Sequence, residues 1–139
     1  MAELTAQAKG VVEAFNNDDW DAARGLLGDS TYNELGTQRS LAGADAIIGA
    51  LQGWKQAMPD VKGTVTSAAE SGQRVVLEVT WEGTQTGEMV TEQGTIPPSG
   101  KRQKTPSAFI FDYENGKLKE SRHYFDMLNF LKQIGARLN

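Results

Sequence analysis

The sequence predicts an α+β fold in which a curved mixed or antiparallel sheet wraps three N-terminal helices. Three observations carry this. Apolar residues in the first half recur at the helical period, and those in the second half alternate at period two. The later runs are joined by Ser71-Gly72 and Asn115-Gly116, dipeptides that favour hairpin turns. Helices first and hairpin-linked strands after is the α+β order.

The first helix rests on Leu4, Ala8, Val11, Val12 and Phe15, one apolar stripe. It stops at Asn16-Asn17-Asp18-Asp19, residues that favour caps over helix interiors. Trp20, Ala23, Leu26 and Leu27 mark a second, short helix with Gly28 as its stop. A short strand is expected over 30–36. Ile47, Ile48, Leu51, Trp54 and Met58 form the third helical stripe, which Pro59 ends. A weaker strand covers 61–69. Val75, Leu77, Val79 and Trp81 alternate with Val76, Glu78, Thr80 and Glu82. Phe109, Phe111 and Tyr113 alternate with Ala108, Ile110 and Asp112, and 118–125 is a further strand. The polar stretch 83–100, with Pro97-Pro98, is expected as a long hairpin or loop. A last short helix over 127–134 ends at Gly135. Val75-Val76-Leu77 and Ala108-Phe109-Ile110-Phe111 are apolar on both faces. The outer face needs a cover that the chain has little sequence left to supply, so a homodimer through it is expected.

The 139 residues are expected to form one domain over 1–139. With no cysteine, a disulfide scaffold, a thiol nucleophile and a thiolate metal site are excluded. With one histidine, so is a multi-histidine metal site. Lys plus Arg is 14 and Asp plus Glu is 18, a net charge of −4 with the charges scattered, which argues against nucleic acid and anionic membranes as partners. No apolar run approaches the roughly 20 residues of a membrane span, and no signal peptide is visible, so a cytoplasmic location is expected.

No P-loop, dinucleotide fingerprint, GxSxG or HExxH motif is present. The informative segment is 117–135. In an extended strand Glu120, Arg122, Tyr124 and Asp126 share one side, and Ser121, His123 and Phe125 the other. The first set is a candidate pocket lining, in which desolvation would raise Asp126 toward a general acid or base. Asp126 also stands just before Met127, Leu128 and Leu131, where it can cap the last helix. Arg122 can equally balance Glu120 or Asp126, and His123 can be structural. Tyr124 and Trp54 can be core aromatics with one bonded polar atom. Tyr32 and Glu34 share a face of the early strand, and a buried Glu34 would demand a functional explanation.

The segments YNELGTQRSLAGADAIIGALQGWKQAMPDVKG, GTQTGE, IPPSGKRQ and ESRHYFDMLNFLKQIG, in that order, resemble the SnoaL-like polyketide cyclase (ester cyclase) family of the nuclear-transport-factor-2-like superfamily. The resemblance runs over nearly the whole chain, and 88–96 looks longer than usual. It implies a cone-shaped α+β barrel with a deep apolar pocket. It also implies intramolecular aldol chemistry without a cofactor or metal, using an aspartate near the end of the last long strand. That position is Asp126 here. Tyr32, Trp54, Arg122, His123 and Tyr124 match positions that line or support the pocket.

The expected function is therefore acid/base catalysis on a small apolar carbonyl compound. Asp126 would move the proton, and Arg122, His123 and Tyr124 would stabilise the enolate. Tyr32, Glu34, Trp54, Phe15 and Met58 would form the substrate site, suited to flat or polycyclic apolar ligands. One rival is an epoxide hydrolase in which Arg122 and Asp126 act with Glu34 or Glu120. The other is a protein that binds an apolar ligand without chemistry. The superfamily fold does not choose among them.

Overall fold

The computed structural model describes residues 3–91 and 94–136. Helices α1 (Glu3–Asn16) and α2 (Trp20–Leu27) are followed by strands β1 (Thr31–Glu34) and β2 (Arg39–Ala42) and by helix α3 (Ala44–Ala57). Then come β3 (Lys62–Ser71), β4 (Arg74–Thr84), a small hairpin of β5 (Met89–Thr91) and β6 (Gly94–Ile96), β7 (Arg102–Glu114), β8 (Lys117–Phe125) and α4 (Met127–Gln133). The main sheet has the order β2-β1-β8-β7-β4-β3. Every pair in it is antiparallel except β1–β8, which is parallel, so the sheet is mixed. The α+β cone with three N-terminal helices and a short C-terminal helix is as expected.

Two bulges curl the sheet. Val65 faces Val79 and Ser67 faces Glu78, which leaves Thr66 as an extra residue. Tyr113 faces Leu118 and Asp112 faces Glu120, which leaves Lys119 extra. The second bulge sets the parity of β8. Leu118 points inward before it, and Ser121 and His123 point inward after it. The resulting concave face carries Val75, Leu77, Val79, Phe109 and Phe111, all buried against α1, α2 and α3.

The strand expected over 30–36 is half of a two-strand unit. After Glu34 the chain turns and returns as β2, whose short, half-exposed run carries no alternation to read. The 83–100 stretch is a hairpin excursion anchored by one residue. Gln85 is fully buried; its amide donates to the carbonyls of Gly87 (2.9 Å) and Pro97 (3.1 Å), and its Oε1 accepts from Ser99 N–H (3.0 Å). Gly87 N–H bonds the carbonyl of Ala57, and any Cβ at Gly87 would collide with the carbonyl oxygen of Gln56. So held, the hairpin brings Met89 and Ile96 to a second apolar cluster with Phe15, Met58, Phe130 and Ile134. On the convex face Val76, Ala108 and Ile110 stay half-exposed among described residues.

Candidate functional site

The two apolar clusters meet around an internal cavity of about 70 Å³. Its wall is mostly aromatic, from Phe15, Trp54, Trp81, Phe109, Phe125 and Phe130. Tyr32, His123, Gln103 and Thr105 are its polar members. No carboxylate lines it. Apolar cavities of about 150 Å³ take a benzene ring, so this one admits a ring only if wall side chains yield. Met58, on the same wall, has the rotatable bonds to do so.

Glu34 lies behind this wall, 1 % exposed. Tyr32 precedes it by two residues on β1, so both side chains point inward. Tyr32 Oη donates to Glu34 Oε2 (2.7 Å), as does Trp54 Nε1 (3.0 Å). Thr37 Oγ1 (2.6 Å) and Arg39 Nε (2.8 Å) donate to Oε1. Burial alone would push this carboxyl up, but the bonds from Thr37, Tyr32 and Trp54, with Arg39 nearby, outweigh it and hold Glu34 below its ordinary value. Glu34 is therefore an ionised, acceptor-only group. Burial, and next the Glu34 charge, lift the Tyr32 phenol well above its usual range.

His123 faces the cavity from β8, in register with Phe109 and stacked on its ring at 4.4 Å. Burial lowers its pKa to about 4, with Glu34 pulling the other way, so the imidazole is neutral. Its Nδ1 is 3.3 Å from Tyr32 Oη. The Tyr32 proton is committed to Glu34, so this contact is favourable only if Nδ1 carries the hydrogen and donates. Nε2 is then the bare nitrogen. Around it Ser107 Oγ is at 2.9 Å and Trp81 Nε1 at 3.1 Å. Ser107 also donates to the carbonyl of Val79 (2.9 Å), and Trp81 Nε1 also donates to Ser107 Oγ (2.9 Å). Two hydrogens thus serve three acceptors, and Nε2 has only shared donors. Gly63 leaves the room for the Trp81 indole, because a Cβ there would stand 2.6 Å from the ring.

The structure brings together Tyr32, Trp54, Phe15, Met58 and His123 on the cavity wall, with Glu34 behind them. It does not bring Arg122, Tyr124 or Asp126 there. The expected lining of Glu120, Arg122, Tyr124 and Asp126 is corrected: the Lys119 bulge turns Ser121, His123 and Phe125 inward and puts Glu120, Arg122 and Tyr124 on the convex side, with Asp126 beyond the end of the strand. Arg122 Nη1 bonds Asp112 (2.7 Å) and Glu120 (3.2 Å) there. Tyr124 is exposed. Asp126 is exposed and caps α4, accepting from Asn129 N–H at 2.9 Å. Trp81, Ser107, Gln103 and Thr105 carried no motif. Their alternation within β4 and β7 was the available signal.

A family model for SnoaL-like polyketide cyclases matches residues 6–134. The chain belongs to the SnoaL-like polyketide cyclase family. Three solved structures are similar to this SnoaL-like chain. IdmH from Streptomyces antibioticus, named as a candidate polyketide cyclase, is 22% identical over 96% of this chain and 99% of its own, with a TM-score of 0.81. A Catenulispora acidiphila protein of ketosteroid-isomerase-like fold, solved with trimethylamine, is 18% identical over 94% and 93%, with a TM-score of 0.79. An epoxide hydrolase from M. tuberculosis, described as LEH-like, is 20% identical over 96% and 90%, with a TM-score of 0.70. At these identities the likeness establishes the fold. Among curated proteins none matches this sequence. Among the described residues no helix is long and apolar enough to cross a membrane, and no cluster of His, Asp and Glu could hold a metal ion.

Proposed function

We propose that this SnoaL-like chain catalyses proton transfer at a carbon next to a carbonyl, on a small, neutral, largely apolar compound held in the cone. The observation that carries the reading is the neutral imidazole of His123 on an apolar cavity wall, oriented through Tyr32 by buried, ionised Glu34. In the forward step Nε2 takes the α-proton and the electron pair of the C–H bond moves into the enolate. The imidazolium that forms is stabilised by the Glu34 charge through Tyr32, and it returns its proton to the product. Ring closure or isomerisation differ only in where the enolate then reacts.

A second assignment keeps the acid/base at Asp126, one residue beyond Phe125 of the cavity wall and matching the family's aspartate. Hydrogen–deuterium exchange of ketone α-protons in D2O, followed by NMR, separates the two without knowledge of the natural substrate. Small cyclic and aromatic ketones should exchange faster with the protein than without it. His123→Gln should slow that exchange by about a hundredfold or more, and Asp126→Asn should leave it unchanged. The reverse pattern assigns the step to Asp126. Ketones that quench the fluorescence of Trp54 and Trp81 but never exchange would make the chain a binder without chemistry.

A further inference from the structure

The polar wall residue with capacity to spare is Gln103. It stands on the concave side of β7, 1 % exposed, beyond the end of β8 and under α4. A chain of hydrogen bonds fixes which way its amide points. The backbone N–H of Lys104 donates to Gln133 Oε1 at 2.7 Å, so the Gln133 amide must present Nε2 elsewhere. Gln133 Nε2 donates to Thr105 Oγ1 at 3.3 Å, and the Thr105 hydroxyl donates to Gln103 Oε1 at 2.6 Å. A contact of 2.6 Å is in the O–H···O range and short for N–H···O, so the amide oxygen is the atom that faces Thr105. The chain ends on Gln103 Nε2, whose two hydrogens point away from Thr105. Their partner among the described residues is the Met58 sulfur at 3.4 Å. A thioether is a weak acceptor, and a buried amide N–H without a good acceptor costs free energy. Gln103, Thr105 and Met58 all line the cavity.

We propose that Gln103 Nε2 is the anchor for a carbonyl oxygen of the ligand, which displaces the Met58 sulfur as acceptor. This rests on the reading of the ligand as a carbonyl compound and makes the site specific for it. The ligand oxygen completes the amide's hydrogen bonding, while the hydrocarbon part meets the aromatic wall. A site with a buried donor discriminates against an isosteric hydrocarbon because the donor is then left short. Gln103 stands six positions along β7 from Phe109, the register partner of His123, and Gln103 and His123 line the same cavity. The anchor therefore fixes the ligand's carbonyl in the space that the imidazole faces. Gln103 is a specificity residue, and Thr105 and Gln133 position it.

The test compares acetophenone with ethylbenzene, a ketone and its near-isosteric hydrocarbon, by tryptophan fluorescence titration. Wild type should bind the ketone about tenfold more tightly, the scale of one good hydrogen bond. Gln103→Met should lose that preference while keeping the hydrocarbon affinity. Thr105→Val, which frees the amide to turn, should reduce it. In wild type the Gln103 side-chain NH2 signals should shift downfield with ketone and not with hydrocarbon, a readout that does not depend on either variant folding. A preference retained in Gln103→Met and lost in His123→Phe would overturn the anchor but leave the carbonyl reading standing. Wild type that binds both probes equally, or neither, would overturn both.

Discussion

At the scale of single residues the molecule is organised around one buried negative charge. Glu34 receives four donors from four residues. An isolated carboxylate in this setting would be strongly destabilising; saturated with donors it is tolerated. Glu34→Gln is the sharper probe than Ala because it keeps the shape. It puts an NH2 where two donors already point, so urea denaturation should show a loss of about 3 kcal/mol. A loss under about 1 kcal/mol would mean that the donors find other partners. His123 gives the pH dependence. Its folded pKa is about 4, below the usual 6.5 of an unfolded histidine. The unfolded chain therefore binds the extra proton between those values. Stability from this group is fully present above pH 6.5 and falls as pH drops toward 4, by at most about 1.4 kcal/mol per pH unit. His123→Gln should flatten melts measured between about pH 6.5 and 5.5, above the range in which carboxylates of the unfolded chain take up protons. An unchanged slope would place the histidine in contact with solvent.

At the scale of elements, period and turn chemistry made most of the fold legible, and parity made the site illegible. The three apolar stripes, the Ser71-Gly72 and Asn115-Gly116 turns and the Pro59 stop all lie where the chain uses them. What no local pattern carries is a one-residue slip. The Lys119 bulge decides which face of β8 looks inward, and it is visible only in the pairing with β7. So the candidates that the sequence offers include Tyr32, Trp54 and His123 of the cavity wall and Glu34 behind it, while Arg122 and Tyr124, expected inward, lie on the convex side. Gln85 and Gly87 were unreadable for a similar reason, because their partners are backbone groups brought near by the hairpin. Helix α4 shows the converse. Asp126 before an apolar run is a cap signal, and the cap is formed. Asp126→Ala should then cost about 1 kcal/mol in thermal or urea melts and Asp126→Asn almost nothing. Because Gln133 of α4 orients Thr105, the Ala variant should also weaken ketone preference. If Asp126→Ala melts like wild type, the cap contributes no stability and α4 is held by its packing through Phe130 and Ile134 and by Gln133.

At the scale of the whole molecule the concave face is filled and the convex face is not. Val76 of β4 is in register with Ile110 of β7, and Ile110 with Arg122 of β8, so an apolar strip runs beside an ion-pair ladder. The ladder joins Arg74 and Arg122 through Asp112, at 2.6 and 2.7 Å, with Glu120 at its end. Ala108 and exposed Tyr124, in register with each other, extend the strip along β7 and β8. These groups suit a self-complementary contact. In such a contact the apolar strip would supply about 25 cal/mol for each Å² buried, and the alternating charges would fix the register of one copy on another. A two-fold contact through this face would make Ile110 meet residues of the same strip in the partner. The wild-type chain should therefore scatter light at twice its chain mass at micromolar concentration. Ile110→Lys should convert it to the monomer, since two lysines near a two-fold axis repel and lose their hydration. The same substitution points away from the cavity, so fluorescence titration with acetophenone should give the wild-type affinity. A wild-type protein that is monomeric at tens of micromolar would mean that Val76 and Ile110 are tolerated as exposed surface. The ion-pair ladder would then serve only to keep the open sheet soluble. A dimer that survives Ile110→Lys would place the contact on another face, with β3, the sheet edge beyond β4, as the next surface to probe.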